Sequence, residues 1–147
     1  MYFVDRNKIE TILSYMEHLV QQQNVEDTES LVSQLYLERV THVTIETIID
    51  VGNLLIDGFI MRDPGSYQDI IDILVDEQVL PSNEQEAYTS FIRLRKSLVQ
   101  DYLHINHKQI LELWRHHQEM LTAFPAHVRQ YLDHELGPIS AFGKKPD

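Results

Sequence analysis

Residues 29–60 read ESLVSQLYLERVTHVTIETIIDVGNLLIDGFI, and this stretch decides the fold. It contains no proline, and Leu31, Leu35, Ile45, Ile48, Ile49, Leu55, Ile56 and Phe59 recur at helical steps. The spacing predicts one long helix. Its apolar positions cover more than one side, the pattern of a helix packed both within its own chain and against a partner.

Upstream, Asp5 is a good N-cap for a first helix to about residue 22, whose stripe is Ile9, Ile12, Leu13, Met16, Leu19 and Val20. Downstream, Asp63-Pro64-Gly65 breaks the long helix and Ser66 caps a short third one, with Ile70, Ile71, Leu74 and Val75 inward. Pro81-Ser82-Asn83-Glu84 opens a fourth helix, expected to reach about Tyr102. A fifth starts at Asn106 or His107 and carries Trp114 as a packing anchor. Pro125 should kink or break it before a last segment over residues 128–136, which Gly137-Pro138 stops. No stretch alternates with period two, so the expected fold is all-α: an up-and-down bundle of four or five helices, dimeric, in one domain over residues 1–142. Residues 143–147 read as a disordered tail.

Among 147 residues there is no cysteine, which excludes disulfides and thiolate metal sites. The start lacks the basic-then-apolar pattern of a signal peptide, and no run approaches the ~20 apolar residues that span a bilayer, so a cytoplasmic protein without membrane contact is expected. Net charge is −11, unevenly spread: residues 1–90 hold 4 Lys/Arg against 17 Asp/Glu, and residues 91–147 hold 8 against 6. Bulk attraction to polyanions is excluded. RNA contact, without DNA specificity, would have to use the local patch Arg93, Arg95 and Lys96.

Two constellations could carry chemistry. On an ideal helix Arg95 and Tyr102, seven apart, differ by only ~20° in direction, placing a guanidinium and a phenol on one face for phosphate and base contacts. Glu38, His42, Glu46 and Asp50 recur every four residues, a ladder that reads as a solvated or cleft-lining stripe and alternatively as a divalent-metal site. His116 and His117 are adjacent and diverge by ~100°, so they cannot chelate together, and with His127 and His134 they read as surface residues. No phosphate-binding glycine loop or Ser–His–Asp order is present, and no cofactor is implied.

Arg95, then residues 96–99, then Gln100-Asp101-Tyr102 resembles the Arg-x4-His-x-Tyr motif of the HepT-like branch of the HEPN superfamily, helical ribonucleases of toxin–antitoxin pairs. The run Glu38-Arg39-x-x-His42-x-x-x-Glu46-x-x-x-Asp50 is similar to that family's central helix. Met1-Tyr-Phe-Val-Asp-Arg6, Asp57-Gly-Phe-Ile-Met-Arg-Asp-Pro-Gly-Ser-Tyr67 and Glu135-Leu-Gly-Pro-Ile-Ser-Ala-Phe142 resemble its YutE-type subgroup in Gram-positive bacteria. The resemblance implies a homodimer with the two motifs meeting in an interface cleft, and metal-independent RNA cleavage in which Arg95 holds the scissile phosphate. It also implies Glu46 or Asp50 orienting Arg95, Lys96 in support, and a small nucleotidyltransferase antitoxin that adds AMP to Tyr102. One departure matters: Gln100 stands where the family has its proton-carrying His, and a carboxamide does not titrate. Loss of general acid–base catalysis costs about 10²–10⁴-fold, so the alternative is a non-catalytic dimeric interaction module. His104, nine residues after Arg95, would substitute only if the chain turned back there.

Overall fold

The computed structural model describes residues 3–137, and among them every regular element is helical: α1 (Arg6–Gln22), α2 (Leu31–Gly58), α3 (Tyr67–Asp76), α4 (Gln85–Val99) and α5 (His107–Leu136). The expected tail over residues 143–147 and Pro138 of the expected stop lie outside the described residues. Local sequence explains the starts. The side chains of Asp5, Ser30, Ser66 and Asn106 each accept a hydrogen bond from a backbone N–H in the first turn of α1, α2, α3 and α5, satisfying a donor the helix leaves open. At the end of α2, Ile60 takes the left-handed conformation (φ 57°) and the Met61 N–H closes on the Ile56 carbonyl at 2.9 Å, a stop usually made with glycine.

α2 is the central element and packs against the other four. Leu37, Val40, Ile45, Ile48, Val51, Leu55 and Ile56 are buried on it, against Ile9, Leu13 and Met16 of α1, Ile71 and Leu74 of α3, Phe91 of α4 and Trp114 and Leu121 of α5. α3 approaches closely because residue 52 is glycine: a Cβ there would lie 2.5 Å from the Ile70 Cγ2. The turn before α3 is clamped as well. Arg62 donates twice to the Asp69 carboxylate (2.8 and 3.0 Å), which also accepts from the Gly65 N–H (2.9 Å). Asp69 is thereby held below the usual carboxylate range.

Two expectations about helix ends are corrected. α4 stops at Val99 rather than Tyr102; Gln100 caps it, and Tyr102–His104 form a separate 3-10 turn. Pro125 does not break α5, which runs through it with Phe124, Pro125 and Val128 buried. The expected kink falls instead at His117 (φ −125°, ψ 17°), one turn before the Leu121 carbonyl that the proline ring would strike. In that disturbed turn the buried Tyr88 phenol donates to the Met120 carbonyl (3.0 Å), and burial pushes its acidity far down.

α1 and α5 are tied by Arg129, whose guanidinium binds both Glu10 (3.0 and 2.6 Å) and Glu17 (2.7 and 3.0 Å). The Arg129 hydrogen bond holds Glu10 below the ordinary 4.5, and that stabilisation is present above 4.5 and fades as pH falls through the depressed value. Arg129→Met should therefore lower the melting temperature at pH 7, and the gap to wild type should narrow steadily as pH falls below 4.5. A gap that does not narrow at all in acid would assign the effect to packing.

Candidate functional site

Arg95, in the last two turns of α4, points onto the middle of α2. Its Nε donates to the Glu46 Oε2 at 2.7 Å, and its guanidinium carbon lies 4.4 Å over the centre of the Tyr67 ring. Glu46 thus takes one edge of the planar group while Tyr67 supplies an aromatic wall. The same Oε2 lies 3.8 Å from the Nε2 of His42, one turn earlier on α2. Arg95, Glu46, His42 and Tyr67 therefore come together from three helices, all partly open to solvent. Glu46 raises the affinity of Arg95 for its proton further, so the guanidinium is a permanent cation.

The other residues singled out in the sequence fall elsewhere. Asp50 makes no hydrogen bond to Arg95; desolvation, then repulsion from Glu46, pushes its carboxyl above the ordinary range, with Lys8 pulling the other way. Gln100 is exposed and its N–H caps α4 on the Lys96 carbonyl at 2.8 Å. Lys96 is exposed in the last turn, and Arg93 pairs with Glu86 at 3.0 Å on its own helix. Tyr102 is 65% exposed and lies beyond the helix, so its expected alignment with Arg95 on one helical face does not hold. The seven-residue rule fails because the helix ends between them. The aromatic that Arg95 meets is Tyr67, which sequence reasoning missed; its only signal was Ser66, whose capping role puts Tyr67 first in α3 and off the Ile70, Ile71, Leu74 stripe.

Two rungs of the ladder on α2, Glu38 and Glu46, are spent on contacts with other helices. Glu38 binds the His107 Nε2 at 2.7 Å and Glu46 binds Arg95, and among the described residues no three His, Asp or Glu side chains converge as a metal would require. The chain does turn back at His104, but there it lines a shallow cleft with Thr28, Gln34 and His107, some three turns of α2 before Glu46. His127 is not a free surface residue: its Nε2 meets Glu84 at 3.1 Å, and His117 packs edge-on to Phe91.

Residues 9–128 match the family described as Ribonuclease HepT-like. The chain belongs to that family. A HepT-like relative from Bacillus subtilis (strain 168), named "Putative RNase YutE", is 50% identical over 143 residues, 97% of this chain and 99% of that one. The solved structure of YutE, described as a cytosolic protein of unknown function, matches with a TM-score of 0.90 at 49% identity, covering 97% of this chain and 100% of that chain. The HepT-like fold extends to more distant proteins: a tri-AMPylated Shewanella oneidensis HEPN toxin bound to its MNT antitoxin matches with a TM-score of 0.70 at 19% identity, covering 84% of this chain and 95% of that one. No helix among the described residues is long and apolar enough to cross a membrane.

Proposed function

We propose that this HepT-like chain is a metal-independent endoribonuclease of toxin type, acting as a homodimer in the cytoplasm and restrained by a small nucleotidyltransferase that adds AMP to Tyr102. The supporting observation is the posture of Arg95. Glu46 engages its Nε and leaves the Nη1–Nη2 edge without a partner among the described residues, in the geometry that grips a phosphate through two parallel hydrogen bonds. Tyr67 beneath it offers a surface for a stacked base, and exposed Lys96 adds charge one residue on. The exposure of Tyr102 leaves its phenol within reach of a modifying enzyme.

A second copy would complete the site. Leu31, Val32 and Leu35 are 66, 78 and 53% exposed on the first turns of α2, and Leu103 is 79% exposed on the turn whose His104 shares a cleft with Thr28 and Gln34. Leu31, Leu35, Glu38, His42 and Glu46 step along one face of α2, so the apolar patch runs directly into the Arg95 site. A two-fold contact through the patch would set two such sites at the rim of one interface, a cleft. Leu35→Asp, present twice in such a dimer, should weaken association at least ~100-fold in analytical ultracentrifugation without loss of helicity. A wild type that sediments as a monomer at every concentration would refute this part.

The direct test incubates the full chain with single-stranded RNA and with the same strand carrying 2′-deoxy sugars. Cleavage of the RNA alone, insensitive to chelator, supports the reading. Gln100 is the observation that favours the second reading, an interaction module: tight RNA or antitoxin binding with no cleavage would establish it. Mass spectrometry of protein co-expressed with a nucleotidyltransferase should show an AMP adduct that Tyr102→Phe abolishes.

A further inference from the structure

The exposed cap of α4, Gln100, cannot carry a proton, and the structure points to a different residue. We infer that His42 is the proton carrier for RNA cleavage by this chain, an inference that rests on the ribonuclease reading above. One carboxylate oxygen, the Glu46 Oε2, contacts the Arg95 Nε at 2.7 Å and lies 3.8 Å from the His42 Nε2. Imidazole and guanidinium are therefore separated by no more than those two contacts laid end to end. The 3.8 Å approach is too long for a hydrogen bond, so Nε2 is left without a hydrogen-bond partner among the described residues and is open to a substrate hydroxyl. The His42 side chain is 27% exposed, open to a strand on its outer side.

The remaining histidines nearby are otherwise placed. His107 is committed to Glu38, and His104 lines the separate cleft beside Gln34. His42 also stands on the middle of a 28-residue helix, whereas Gln100 sits at a helix end. The groups that surround it are Glu38, Arg39 and Glu46 on α2, Arg95 from α4, Tyr67 of α3 against that arginine, and His107 of α5 against Glu38. With a phosphodiester on the free edge of Arg95, neutral His42 takes the proton of the adjacent 2′-hydroxyl as O2′ bonds to phosphorus and the P–O5′ bond breaks. The imidazolium then gives that proton to the departing O5′. The products are a 2′,3′-cyclic phosphate and a 5′-hydroxyl, with no other reagent consumed.

The test follows cleavage of a single-stranded oligoribonucleotide by wild type, His42→Ala, Gln100→His and the double variant, with thermal melts beside each. His42→Ala should slow cleavage by about 10²–10⁴-fold while melting nearly as wild type. Imidazole added to solution, or Gln100→His in the same chain, should return much of the rate, and the rise of rate with pH expected of wild type should be missing from His42→Ala. An active His42→Ala protein overturns the inference and leaves the ribonuclease reading intact. So does an inert wild type that Gln100→His activates. A slowed His42→Ala that neither imidazole nor Gln100→His restores makes His42 a positioning residue and overturns the inference as well. If neither wild type nor Gln100→His cuts RNA, the ribonuclease reading itself falls.

Discussion

Trp114→Ala is expected to lower the folding free energy by about 3–5 kcal/mol, the cost of emptying a fully buried aromatic site. Trp114 is 0% exposed where α2, α4 and α5 meet. Its ring stands edge-on to Phe91, with centroids 5.8 Å apart, and its Nε1 donates to the Thr41 hydroxyl at 2.8 Å. Alanine removes the volume, the aromatic contact and the donor together. Trp114→Phe separates these contributions: most of the packing stays and the hydrogen bond goes, leaving Thr41 to donate back to a carbonyl of its own helix, for about 1–2 kcal/mol. Urea denaturation should show the midpoint falling with the slope unchanged, and the alanine variant should melt roughly 10–20 °C lower. A loss below ~1 kcal/mol for alanine would mean that the cavity collapses and that Trp114 is not the keystone between α2 and α5.

The helices were legible in the chain because each answers to a local signal. The stripe from Ile9 to Val20 buries as spaced, Ser66 caps α3, and the apolar residues of α2 face several neighbours because α2 is central. The end of α4 was not legible: no glycine or proline separates Leu98 from Leu103, and what stops the helix is the pair Gln100 and Asp101, the latter turning out of helical backbone at φ −102°, ψ 42°. For Pro125 the place was misjudged: α5 stays helical through the proline, and its kink falls two turns earlier, at His117. The centre of the candidate site could be suspected but not assembled. Arg95 and Glu46 are 49 residues apart, and only the packing of α4 on α2 brings them to 2.7 Å. Tyr67 and His42 complete the group for the same tertiary reason, which no spacing along one helix encodes.

Arg95→Ala is expected to lower kcat/KM for RNA cleavage by about 10²–10³-fold, the usual consequence of deleting a preorganised donor to a charge that grows in the transition state. Arg95→Lys should recover little of this. A lysine can pair with Glu46 or reach a phosphate, but it lacks the second edge that lets a guanidinium do both. Glu46→Gln keeps the acceptor and the shape while removing the charge, so the fork stays nearly in place and the loss should be about tenfold. Stability should respond weakly to all three, by about 1 kcal/mol or less, because Arg95 and Glu46 are 24 and 34% exposed and water screens their pairing. The ordering is the test: alanine and lysine far below wild type, glutamine between, and melting temperatures nearly level. Arg95→Ala cleaving within about threefold of wild type would remove the guanidinium from the chemistry and leave its bond to Glu46 as a tie between α4 and α2.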